Sequence, residues 1–234
     1  MESSFKMFAN LQQEIIQCRL CPRLVEWRER IARQKAPRFQ TQEYWGRPLP
    51  SFGDPDGSLI IIGLAPAAHG GNRTGRMFTG DRSGDWLYEA LYRFGFATQP
   101  SSLHKNDGLA LLDCLITAAV RCAPPDNKPS PPELDNCRRY LRHELLLTEK
   151  KRVIAVLGQI ALRAFLKAWS ETGGSRPVER MAFRHGGEWE LSSRLTLICS
   201  YHPSQQNTQT GRLTRPMFHS IFERARSILE KSRK

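Results

Sequence analysis

Three stretches of this 234-residue chain hold the side chains able to do chemistry. The first, GLAPAAHGGNRTGRMFTGD at residues 63–81, is a run of glycines and small residues that closes on Phe78 and Asp81. Glycines let a backbone approach a ligand closely and let successive amides cradle an anion. The run is neither G-x-G-x-x-G nor G-x-x-x-x-G-K-[ST], so nucleotide-cofactor readings lose their usual support. Phe78 in such a loop is either a lid over the core or a stacking platform for a planar ligand such as a base. Asp81 is a helix N-cap, a solvated acid or a catalytic carboxylate, and taken alone the cap is the plainer reading. The second stretch, RCAPPDNKPSPPE at residues 121–133, is stiffened by prolines, which presents Asn127 either as a turn residue or as a fixed group for a base edge or a water. In the third, SYHPSQQNTQTGRLT at residues 200–214, His202 is backed by Pro203, with the amides and side chains of Ser204, Gln206 and Asn207 available to phosphate. A lone histidine at a strand end is more often structural than catalytic, and it is the convergence of the three loops that favours chemistry.

Six cysteines divide into two kinds. Cys114 and Cys199 sit inside apolar runs and read as small core hydrophobes. Cys18-x2-Cys21 and Cys122-x14-Cys137 are the metal-ligand candidates: the short spacing brings two thiolates to one centre, and the longer pair must be joined by the fold. A four-thiolate zinc site and a cubane iron-sulfur cluster are equally compatible with this set, and reduced, unliganded cysteines are the plain alternative.

The elements that must position these loops alternate. Residues 4–17 place Phe8, Leu11, Ile15 and Ile16 on one helical face. A basic segment, Arg28 to Arg38, follows, and the Pro, Gly and aromatic residues from Ala36 to Gly57 predict an irregular excursion. Leu59 to Leu64 is a continuous aliphatic run of the kind a doubly buried parallel strand shows. A helix is expected to start at Ser83, with Trp86, Leu87, Ala90, Leu91 and Phe94 inward. A second apolar run covers Leu109 to Val120. Ser130-Pro131-Pro132-Glu133 reads as a capping box opening the next helix, whose stripe is Leu134, Cys137, Leu141 and Leu145. Val153 to Leu157 is the third strand, followed by a helix with Ile160, Ala164, Phe165 and Trp169. Leu195 to Tyr201 is the fourth, and a closing helix presents Ile221, Phe222, Ala225 and Leu229. The pattern predicts a three-layer α/β/α fold around an open parallel sheet, in one domain spanning residues 1–234, with ligands outside the carboxyl ends of the strands.

Composition bounds the rest. With 40% hydrophobic and 25% charged residues the chain is globular, and 35 Lys+Arg against 23 Asp+Glu give a formal charge of +12, which suits a polyanionic partner. The N-terminal stretch, with Glu2, Lys6 and Glu14, lacks the layout of a signal peptide, and no apolar run is long enough to span a bilayer. The expectation is a soluble, cytoplasmic, nucleoid-associated protein with no membrane partner. Nothing in the sequence demands a second chain, so a monomer is expected.

The three loops together with the four cysteines resemble those of the type 5 (type B) iron-sulfur uracil-DNA glycosylases of bacteria and archaea, over about Cys18 to Thr214. The resemblance implies a central four-stranded parallel sheet and a structural [4Fe-4S] cluster on Cys18, Cys21, Cys122 and Cys137. It also implies hydrolysis of the N-glycosidic bond of uracil in DNA, with hypoxanthine and xanthine as further deaminated bases. Most relatives in the wider superfamily carry an Asp, Asn or Glu directly after the first strand to handle water. Here the stretch is Ala65-Pro66-Ala67-Ala68, so Asp81 is expected to take that role, with Asn127 holding water or base. Thr117-Ala118-Ala119 is apolar where related types read uracil with an Asn, which implies a looser pocket.

On this reading Phe78 stacks on an extruded base whose edge is bonded by backbone from Gly63 and Ala65 through Ala68, His69 and Gly70. His202 donates to the departing base, and Arg212 or Leu213 fills the vacated stack. Arg28 to Arg38 and Arg212 to Arg226 would flank the cleft and meet phosphates. Two rival classes stay open: a non-enzymatic nucleic-acid binder, which explains the charge, and an electron-transfer protein, which explains the cysteines.

Overall fold

A computed structural model describes residues 3–174 and 181–231. The span 1–234 read above as one domain therefore includes short stretches outside the described residues. Four parallel strands form the middle of the sheet: β2 (Leu59–Gly63), β3 (Cys114–Ala118), β4 (Val153–Leu157) and β6 (Leu195–Ser200), in the spatial order β3-β2-β4-β6. Two antiparallel edges extend it to six strands, β1 (Phe52–Gly53) beside β3 and β5 (Glu188–Ser192) beside β6. Neither edge has the aliphatic run that marked the central strands. β5 reads EWELS, because an edge strand packs less of its surface than a central one.

The central strands are aliphatic throughout because helices cover both faces. Leu59 and Ile61 point to one layer, with Leu87, Tyr88 and Leu91 of α4 (Arg82–Arg93) and Phe218, Ile221 and Phe222 of α8 (Arg215–Lys231). Ile60 and Ile62 point to the other, with Leu141 and Leu145 of α5 (Pro131–Leu147) and Leu162 and Phe165 of α6 (Gln159–Glu171). Truncating any of these fully buried side chains to alanine removes both transfer energy and packing, about 2–5 kcal/mol each. Outside α5 lie α1 (Ser4–Gln17) and α2 (Pro22–Gln34), which make a third, smaller core with the start of α5.

Some boundaries moved: the strands expected to reach Leu64 and Tyr201 each end one residue earlier. Of the run Leu109 to Val120 only five residues are strand, since Ala97 bridges Leu111 and the chain bends before Cys114. The helix expected to start at Ser83 starts at Arg82, because Asp81 is the residue that caps it. The α5 start is as read: Pro131 lies in the first turn and the Glu133 carboxylate accepts the Ser130 N–H at 2.7 Å. A buried ion pair that no periodicity marks, Arg121 with Glu144, binds the loop after β3 to α5. Thr117 and Ser51 hydroxyls both donate to Glu144 at 2.6 Å, and Gln12 of α1 donates at 3.0 Å.

Candidate active site

Because the four central strands run parallel, their carboxyl ends share one edge, and the loops that leave β2, β3 and β6 surround a hollow of about 630 Å³ there. Gly63, Ala65, Phe78, Asp81, Asn127, His202, Ser204 and Gln206 all line it. Ala68, His69 and Gly70 instead line an adjoining hollow of about 940 Å³, which meets the first along Ala67, Asp81, Arg82, Asn127 and Gln205. The three loops singled out in the sequence are thus brought to one cleft.

Phe78 is held in the left-handed region, φ +52°, and is 9% exposed. Its ring lies against the Gly63 backbone so closely that a Cβ there would come within 2.8 Å of Cζ, which is why the strand ends in glycine. The same ring stacks on His202, with centroids 6.0 Å apart and planes at 30°. Phe78 is therefore lid and platform together: most of it seals the core, and the remainder faces the hollow.

Asp81 Oδ1 accepts the Gly84 N–H at 3.0 Å as the cap of α4. Its Oδ2 lies over the Gly70 backbone, where a Cβ would overlap it. Burial raises the pKa of this carboxyl, against the Gly84 and Ser83 amides and Arg73, which favour the ionised form. The cap reading and the chemical reading are both open to one side chain, because the cap uses only one oxygen.

His202 is brought to the cleft by the turn after β6. Asn207 donates to the His202 carbonyl at 2.8 Å and Ser204 caps α7 (Gln205–Gln209) through the Asn207 N–H. One residue before, the Tyr201 N–H donates to His185 Nδ1 at 3.2 Å, while His185 Nε2 bonds the Met217 carbonyl at 3.0 Å. Desolvation pushes the His202 pKa down to about 4, so at neutral pH the imidazole is uncharged and has a single N–H to donate. Asn127 sits in the left-handed region with Asp126, φ +55° and +53°, on an exposed turn over both hollows.

Two arginines that sequence reading passed over build the glycine-rich loop. Arg73 Nε donates to the His69 carbonyl at 2.8 Å and one terminal nitrogen to the Gly80 carbonyl at 3.0 Å, closing the loop on itself over the Phe39 ring. Arg76 is buried and donates to Thr79, Ser102 and Asp107. An arginine in a Gly-rich stretch reads as a solvated base, and only the carbonyls that the fold turns toward it reveal its role.

Several expected contacts are corrected. Leu213 has no exposed surface and packs in the core with Phe218, so it is not available to enter a base stack; Arg212, exposed, lies over the Tyr201 ring at 4.6 Å. Arg28 does not flank the cleft at all: it is buried, and donates to Cys122 Sγ at 2.8 Å. In the last helix Arg215 and Arg224 pair with Glu89 and Glu188, and Arg226 caps the Phe94 carbonyl. Arg38 and Arg82 do line the cleft.

The four candidate cysteines come together in the third core. Cys122 and Cys137 are buried and Cys18 and Cys21 half-buried, among Leu11, Ile15, Leu24 and Tyr140. Burial, helped by charge on neighbouring cysteines, pushes the Cys122 thiol pKa up to about 11 and that of Cys137 up to about 12, against Arg28 at Cys122 and the Arg121 N–H at Cys137. Among the described residues no three His, Cys, Asp or Glu side chains form a ready-made metal site. The donor chemistry nonetheless fits an anionic thiolate centre. Buried Arg28 faces Cys122 and the Cys18 carbonyl, and its Nε has no partner, an arrangement a neutral core does not call for. The layer touches the glycine-rich loop: Ala65 packs against it, and Asn72 donates to the Arg28 carbonyl at 3.2 Å.

The profile of the uracil DNA glycosylase superfamily matches residues 50–226. The chain belongs to this superfamily. Its relatives identify the branch. A type-5 uracil-DNA glycosylase of Thermus thermophilus is 48% identical over 216 residues, covering 92% of this chain and 95% of that one. Another from Mycobacterium bovis is 49% identical over 212 residues, 90% of this chain and 78% of its own, and one from Mycobacterium leprae is 47% identical over 219 residues, 93% and 94%. The superfamily match spans all three cleft loops.

Proposed function

We propose that this type-5 superfamily member hydrolyses the N-glycosidic bond of uracil in DNA, and of other deaminated bases such as hypoxanthine and xanthine, leaving an abasic site for base excision repair. The observation that carries the reading is the one hollow lined by Phe78, a desolvated Asp81 and a neutral His202 at the carboxyl edge of the sheet. The names of the relatives support uracil as substrate, and the apolar Ala118 in the lining supports a pocket without a side-chain reader for one base.

The nucleotide must leave the stack before its glycosidic bond can be reached. The Phe78 ring offers the flipped base a face, and the backbone from Gly63 to Ala67 offers its edge polar groups. As the C1′–N bond breaks, its electron pair goes to the base and the sugar gains oxocarbenium character. The neutral His202 donates a hydrogen bond to the charge growing on the base, and ionised Asp81 stabilises the cation. Water oxygen then bonds C1′, and its proton passes to Asp81 and on to solvent. Asn127, exposed over the cleft, is suited to hold that water or the base. Ser204, Gln206 and Arg212 supply the phosphate contacts.

Cys18, Cys21, Cys122 and Cys137 would hold a [4Fe-4S] cluster, which when bound contributes structure by joining α1, α2, the loop after β3 and α5. The protein acts on DNA as a monomer in the cytoplasm, at the nucleoid; no described helix is long and apolar enough to cross a membrane.

The test is incubation with labelled duplexes carrying uracil, hypoxanthine or xanthine, followed by alkali to cut abasic sites. Cleavage at the lesion is expected. Retention of uracil-containing DNA without an abasic product would instead point to a binding protein, and reversible cluster reduction without excision to an electron carrier.

A further inference from the structure

With Leu213 buried, the stack opened by an extruded nucleotide needs another occupant, and the cleft has one on a different loop. Leu103 is 63% exposed and lines the larger hollow together with Asp81, Arg82 and Asn127. Its loop, residues 99–108, is not loose. Asp107 Oδ2 accepts the Leu103 and His104 amides at 2.8 and 3.3 Å and the buried Arg76 guanidinium at 2.7 Å, while Oδ1 accepts the Leu109 amide at 3.1 Å. Arg76 also bonds the buried Ser102 hydroxyl at 2.6 Å, and the Ser102 carbonyl accepts the Gly80 N–H at 2.9 Å, one residue before Asp81. A buried ion pair costs desolvation, and here it fixes the backbone under an apolar side chain that nothing covers. Groups able to meet phosphate stand beside it: Arg38 and Arg82 line the same hollow, along with the carboxylates Glu43 and Asp85, and exposed Lys105 follows Leu103 by two residues in the chain. An apolar tip among phosphate-seeking groups, rigidly tied to the catalytic carboxylate, is the build of a side chain that enters between bases while its neighbours hold the backbone.

We propose that Leu103 is the wedge that enters the duplex beside the lesion and holds the nucleotide out. This rests on the glycosylase reading above. It predicts a loss confined to double-stranded DNA, because a single strand presents no stack to hold open.

The experiment compares wild type, Leu103→Ala and Leu103→Met on uracil in a duplex, on uracil in a single strand, and on a duplex with 2-aminopurine beside the uracil. Expected for Leu103→Ala is a fall in single-turnover excision from the duplex on the order of tenfold, with single-strand excision within about twofold of wild type and loss of the 2-aminopurine fluorescence rise. Leu103→Met, similar in volume, should retain duplex activity. An active wild type matched on duplex by Leu103→Ala, or equal losses on both substrates, overturns the wedge alone. A wild type that excises uracil from neither substrate overturns the glycosylase reading and the wedge with it.

Discussion

Asp81 commits one oxygen to capping α4 and leaves the other over Gly70, so fold and chemistry can be separated by mutation. Asn is as good an N-cap as Asp, so Asp81→Asn should keep the melting temperature while lowering single-turnover excision by about 10²-fold or more. Excision equal to wild type in a folded variant would remove Asp81 from the mechanism. Gly70 leaves room for the Asp81 carboxylate: the Cβ of Gly70→Ala would displace Asp81 Oδ2. That variant should lose excision in proportion, with uracil-DNA affinity in a gel shift largely kept. The pH profile follows from Asp81 and His202. Asp81 works ionised and burial raises its pKa, so activity should fall on acidification at a pH above the ordinary aspartate range near 3.9. His202 works neutral with a pKa near 4, so no activity limb should appear near the 6.5 of a free histidine; a limb there that vanishes in His202→Gln would contradict the neutral-donor role.

At the scale of elements, the turn after β6 and the loop after β2 are each held by side chains whose residue types suggest phosphate binding. Asn207 is the clearest case: expected to meet DNA, its amide instead hooks the His202 carbonyl. Asn207→Ala should therefore slow single-turnover excision by the bound complex about tenfold through a displaced His202, while DNA affinity in a gel shift stays near that of wild type. Weaker DNA binding with the bound complex excising at the wild-type rate would mean that Asn207 contacts phosphate after all. His185 serves the same turn by accepting the Tyr201 N–H and bonding α8. Arg73 and Arg76 do the equivalent for the glycine-rich loop. The flexibility that glycines give that loop is thus cancelled by two guanidinium groups, which leaves close approach as the glycines' remaining contribution.

For the molecule as a whole, the +12 charge is a poor map of the DNA surface. Arg28, Arg76 and Arg121 are buried, and much of the last helix's charge is paired, so the cationic rim reduces to residues such as Arg38, Arg82 and Arg212. The cysteine layer joins the two chain-distant halves of the third core. On the proposed [4Fe-4S] cluster, Cys122→Ser should cost solubility and cluster colour before it costs chemistry; a soluble, colourless, fully active variant would argue against a structural cluster. The four parallel strands were legible because a doubly buried strand must be aliphatic at every position. β1 and β5 were not, because an edge strand tolerates almost any residue on its open side.

What the sequence determined by itself is local: which runs are strands, which loops are shaped by glycine and proline, and that Asp81, His202 and four cysteines are chemically able. Those properties follow from residue type and spacing. The tertiary structure alone decided the surroundings of each group. It buried Leu213 and exposed Leu103, turned Arg28 toward sulfur, and desolvated His202. Burial and hydrogen-bond partnership are set by chain segments tens of residues away, and no local pattern encodes them.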